Sequence, residues 1–101
     1  MHQALHRIVG DAAKLRERLT IESPTEYVGY KLVGILACSV HESLERPCVA
    51  LEYAERLLLL LEELVAIRYT EELRFMCLDT ERTIDELQDA AAAEAVRRLV
   101  G

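Results

Sequence analysis

From Cys48 to Val100 the chain contains neither a glycine nor a proline, and only two prolines and four glycines occur in all 101 residues. These residues punctuate helices most strongly, proline by removing an amide and crowding the preceding turn, glycine by loosening the backbone. β-Branched residues nowhere alternate with polar ones as a half-buried strand requires. Helix is therefore the expected state throughout. A single helix over the glycine- and proline-free stretch would be a rod of roughly 80 Å, too long for so small a chain, so a turn must interrupt it. The expectation is an all-α fold, a small antiparallel bundle of three to four helices in a single domain spanning 1–101.

Local signals place the elements. Leu5, Ile8, Val9, Ala12, Leu15 and Leu19 recur at spacings of three and four, which gives a helix over about 2–19 an apolar stripe. Ser23-Pro24-Thr25-Glu26 predicts the next start: serine caps the free amides, proline suits the first helical position, and Glu26 can reach back to the cap. This second helix is expected over 24–45, where Pro47 either breaks the chain, the favoured reading, or kinks a continuous helix. A third helix is expected over 47–67. Thr70, followed by Glu71 and Glu72 at the positive end of a helix dipole, predicts a fourth over 71–99, with Asp79-Thr80-Glu81 the second choice for the turn. Leu73, Cys77, Thr80, Ile84, Leu87 and Ala91 form its expected seam.

Hydrophobic residues make up 51% of the chain and charged ones 30%, which excludes disorder. The longest unbroken apolar run, Leu57–Leu61, is far short of a bilayer span, and the charged first twenty residues do not read as a secretory signal. A cytoplasmic protein without membrane association is expected. Cys38, Cys48 and Cys77 have no paired spacing and read as reduced core thiols. The net charge is -6: residues 1–20 carry four basic and two acidic groups, residues 41–90 five basic and thirteen acidic. A phosphate backbone would be repelled by that middle, so nucleic acid is excluded as a partner and a basic protein surface is favoured.

Five successive leucines step around a helix by about 100° each, covering its whole circumference. A small bundle normally buries one stripe per helix, and each leucine left exposed forgoes about 1.5–3 kcal/mol. The run therefore predicts a homodimer, with Leu57, Leu58, Leu60 and Leu61 as interaction residues. On the last helix Asp79, Glu81, Asp85, Glu86 and Asp89 form an acidic stripe, and Asp85, Glu86 and Asp89 are candidate docking residues for a basic partner.

Catalytic and metal patterns are sparse, and no cofactor or metal is expected. His2 and His6 are spaced for one helical face and read as surface histidines; Cys38 and His41, with Cys48, make half a zinc site. A di-iron bundle needs Glu three residues before His, which neither His6 nor His41 has. No glycine-rich phosphate loop or Ser/His/Asp motif is present.

The stretch Ile35-Leu36-Ala37-Cys38-Ser39-Val40-His41-Glu42 resembles the H-box of sensor histidine kinases, with Tyr53-Ala54-Glu55 at the family's downstream distance and Pro47 near its kink. The family's basic residue three positions after the histidine is replaced by Leu44, and the proline comes one residue late. The resemblance implies a helical hairpin that dimerises into a four-helix bundle, with His41 as phosphoacceptor and Glu42 orienting its ring or taking its proton. On a helical wheel His41 lies roughly opposite Val28, Leu32 and Ser39, the side read as core. The primary expectation is nevertheless a non-catalytic homodimeric interaction bundle, of the physical type of inhibitors, antitoxins and small chaperones. Phosphotransfer through His41 is the alternative.

Overall fold

Two prolines and a threonine set three helix starts. The computed structural model describes residues 2–18 and 23–101, apart from the side chain of His2. Among these residues the elements are α1 (His2–Arg18), α2 (Pro24–Glu42), α3 (Pro47–Ile67) and α4 (Glu71–Val100), with no strand. Pro24 and Pro47 open α2 and α3 at the first helical turn, where a missing amide leaves no bond unmade. Thr70 caps α4, its Oγ1 accepting from the Leu73 amide at 3.1 Å. The turn between α3 and α4 therefore falls at residues 68–70, and the 79–81 alternative lies inside a continuous helix. Leu19 and the 20–22 connection lie outside the described residues.

Two local expectations are corrected. Helix α2 ends at Glu42 and not at 45, because the Ser43 amide tightens onto Val40 O at 3.1 Å and the Arg46 amide onto Ser43 O at 2.8 Å, reversing the chain before Pro47. The capping box at Ser23 does not form: Ser23 makes no side-chain cap bond. Glu26 instead turns inward, only 3% exposed, with Oε1 3.2 Å from Arg68 Nη2 at the end of α3. A charge-assisted contact to guanidinium outweighs a bond to the cap amide. Its Oε2 is buried without a donor. Burial, and then the charge of Glu26, push the nearby Tyr30 phenol above its ordinary value.

The four helices close a ring, α1 packing on α2 and α4, and α3 packing on α2 and α4. Short turns make successive helices antiparallel, and the pairs Arg7–Asp79 and Arg18–Glu72 run in opposite order along α1 and α4. Leu5, Ile8, Ala12 and Leu15 meet Tyr30, Val33, Ala37 and Val40, then Ala50, Ala54, Leu57, Leu61 and Leu64, and finally Leu73, Met76 and Leu87. Alanines on facing helices, together with Gly29, bring α2 and α3 close. A Cβ on Gly29 would lie 2.7 Å from Leu64 Cδ2.

The inner line of α4 is Leu73, Met76, Thr80, Thr83 and Leu87, while Cys77 and Ile84 of the expected seam are half-buried beside it. The threonines enter the core because their hydroxyls donate to carbonyls one turn back, Thr80 to Met76 at 2.8 Å and Thr83 to Asp79 at 2.9 Å. Beyond Leu87 no residue of α4 is buried, so the 30-residue helix runs past the bundle in a body 55 Å long and 20 Å wide.

Candidate functional site

The leucine run resolves into three environments. Leu57 and Leu61 are 1% and 0% exposed and belong to the core of their own chain. As interaction residues they are corrected, since their surface is already spent inside the bundle. Leu58 and Leu60 are half-buried on opposite flanks of α3, and Leu59 alone is exposed, at 62%. A helix touched by two neighbours buries more than one stripe, which is why the run leaves less surplus than its circumference suggests.

The surplus lies on α2 instead. Val28, Leu32 and Ile35 are 52%, 43% and 52% exposed and spaced four and three apart, so they share one outward row. The inward side of α2 is Gly29, Tyr30, Val33, Ala37 and Val40. This reverses the reading of Val28 and Leu32 as core. Apolar residues surround α2, so periodicity leaves its orientation open; the small residues that let α3 approach decide it. Leu36 on α2 and Leu60 on α3 are half-buried and pack against the core. Between Tyr27 and His41 there is no carboxylate and one cation, the exposed Lys31.

The acidic stripe of α4 is divided by the bundle. Asp79 is buried, and Arg7 grips it through Nε at 3.2 Å and Nη2 at 2.8 Å. The guanidinium pKa rises first through that hydrogen bond and then through the carboxylate's charge. Glu86 lines a cleft between α1 and α4 with Arg7, Arg82 and Thr83. Glu81, Asp85 and Asp89, one turn apart, remain on the exposed side. Near them Phe75 and Leu78 are exposed beside Arg7, Asp11 and Arg82.

His41 is exposed at the end of α2, on the flank facing α1, where its ring centroid is 5.8 Å from that of His6. The two rings edge an open cleft of about 300 Å³ with Cys38, Glu42, Leu5, Val9 and Ala37. Pro47 opens α3 instead of kinking the helix that carries His41. The side chain of His2 lies outside the described residues. Cys48 begins α3 and does not join Cys38 and His41, and among the described residues no group of three or more His, Cys, Asp or Glu is set to hold a metal.

Cys38 and Cys48 are exposed free thiols, correcting their reading as core residues; Cys77 is half-buried, and burial raises its pKa, followed by the charges of Glu81 and Glu62. Their apolar neighbours in sequence misled, because exposure follows helix face and not local composition. No helix of the described residues is long and apolar enough to cross a membrane. Sequence reasoning missed the outward row of α2; its signal was the carboxylate-free stretch from Tyr27 to His41. Comparison with protein-family models, curated proteins and solved structures finds no match to this chain.

Proposed function

We propose that this chain is a non-catalytic protein-interaction bundle that works as a homodimer and presents its acidic α4 face to a basic partner. The observation that carries the reading is the quantity of large apolar side chain left in solvent in ordered rows, above all Val28, Leu32 and Ile35. Scattered apolar residues are normal on a monomer, whereas rows on one face mark surfaces that are covered in use. Glu81, Asp85 and Asp89 supply an exposed acidic edge that steers a basic protein surface. Self-association is tested by sedimentation equilibrium, the expected mass being twice the 11.5 kDa of one chain. Partner docking is tested by affinity capture from the native cell, with reversal of charge at Asp85, Glu86 and Asp89. Unchanged capture by the reversed variant removes the acidic edge from the reading.

Phosphotransfer at His41 is the second reading, favoured by the exposure of that ring at the mouth of the α1–α2 cleft. Labelled acetyl phosphate should then mark wild type and spare His41→Ala. Absence of acid-labile label on wild type removes it.

A further inference from the structure

We infer that the cleft between α1 and α2 binds one divalent ion of the zinc class, held by the imidazoles of His6 and His41 and by the Cys38 thiolate. The site lies within one chain and stands apart from the homodimer reading. Sequence spacing leaves its ligands as two separate half-sites, His6 on α1 and Cys38 with His41 on α2. The packing of α1 on α2 joins them, and all three line one open cleft of about 300 Å³ with Glu42.

The ring geometry suits a shared ion. An imidazole nitrogen binds zinc at about 2.0–2.1 Å, which sets the ring centroid about 3.2 Å from the metal, so two rings on one tetrahedral ion have centroids about 5.2 Å apart. The 5.8 Å between His6 and His41 differs from that by an amount that a small rotation of either exposed side chain supplies. Their planes are tilted by 55°, so the contact is not a parallel stack that a metal would have to break open.

The donor set selects the ion. Cys38 stands three residues before His41 and Glu42 four after Cys38, so the three share one face of α2. Two imidazoles and a thiolate suit zinc or its neighbours, whereas magnesium and calcium prefer oxygen ligands. Cys38 is an exposed free thiol and gives its proton to solvent on binding. The Glu42 carboxylate or a water takes the fourth position. Among the described residues no three donors are already set around one point. The third ligand therefore swings in when the ion arrives, and binding is reversible and weaker than at a closed structural site. Cys48, on α3, and Cys77, on α4, are outside the cleft.

The test adds Zn²⁺ alone to the full chain in metal-free buffer. Titration calorimetry should show one ion per chain, and His6→Ala and His41→Ala should each weaken binding by about tenfold or more. Both side chains are exposed, so the variants keep the fold, which circular dichroism checks. Zinc should slow alkylation of Cys38 and leave Cys48, an equally exposed thiol, as the internal control. Mg²⁺ should do neither. If His41→Ala binds Zn²⁺ as tightly as wild type, the ion sits on α1 alone and the cross-helix site is overturned. Equal alkylation rates of Cys38 and Cys48 in saturating zinc overturn the thiolate ligand and with it the three-ligand site. Absence of stoichiometric binding to wild type removes the inference outright and leaves the homodimer reading untouched.

Discussion

Gly29 and Gly34 lie in the same helix, and replacing each by alanine should move stability in opposite directions. In a helix interior the change gains about 1 kcal/mol through reduced backbone freedom in the unfolded chain and better helix propensity. At Gly34 a Cβ meets nothing within 4 Å, so that gain is realised in full. At Gly29 the new carbon would sit 2.7 Å from Leu64 Cδ2, 3.4 Å from Cγ and 3.5 Å from Cδ1. Carbon atoms rest at about 3.5–4.0 Å, so Leu64 must retreat by close to 1 Å. It is 3% exposed and hemmed in by the core, and overpacking of this kind costs about 1–3 kcal/mol.

Gly29→Ala is therefore expected to be neutral to 2 kcal/mol destabilising, roughly, once the gain of propensity is offset. The two variants should differ by about 1–3 kcal/mol in urea unfolding followed by circular dichroism. Helix propensity cancels in that difference, leaving the α2–α3 contact. Adding Leu64→Ala to Gly29→Ala should cost less than Leu64→Ala alone, because the methyl group enters the space that is vacated. Equal stabilisation by the two alanines would refute the close approach of α2 to α3 at Gly29, and with it the orientation of α2.

Arg68→Ala should destabilise by about 1–3 kcal/mol, less than the loss of a fully buried pair because Arg68 is 57% exposed, since it strands the buried Glu26 carboxylate; adding Glu26→Leu should recover most of the loss in urea unfolding, and no recovery would show that the charge is not the cause. The Glu72 carboxyl is held below its ordinary value of 4.5, first by the Arg18 hydrogen bond at 2.9 Å. A depressed folded pKa gives stability that is present above 4.5 and lost as pH falls through the folded value. Arg18→Gln should raise the Glu72 titration midpoint in an NMR titration and flatten the acid dependence of stability; an unmoved midpoint contradicts the pairing. Under alkylation at neutral pH followed by mass spectrometry, Cys38 and Cys48 should be modified well before Cys77, whose thiol is half-buried and raised in pKa. Modification of Cys77 at the same rate would place it on the surface.

Much of the candidate surface was visible as composition but not as geometry. The acidic residues of α4 could be counted, yet the removal of Asp79 from the exposed set needed Arg7, 72 residues away in sequence. The leucine run announced excess apolar surface on α3, but the neighbours that enclose Leu57 and Leu61 come from α2 and α4. His41 is exposed as expected, but the expectation rested on Val28 and Leu32 opposite it being core, which they are not, and its approach to His6 depends on α1 lying alongside.

By itself the chain determined what is local. Pro24 and Pro47 open helices, Thr70 caps one, and the absence of glycine and proline keeps Glu71 to Val100 helical, since each effect acts within a turn of the residue that causes it. Tertiary structure decided which side of α2 turns inward and where Glu26 finds its partner. A helix that is apolar on nearly all sides has no preferred face of its own. Steric fit between distant segments, Gly29 against Leu64 above all, selected one and left Val28, Leu32 and Ile35 outside.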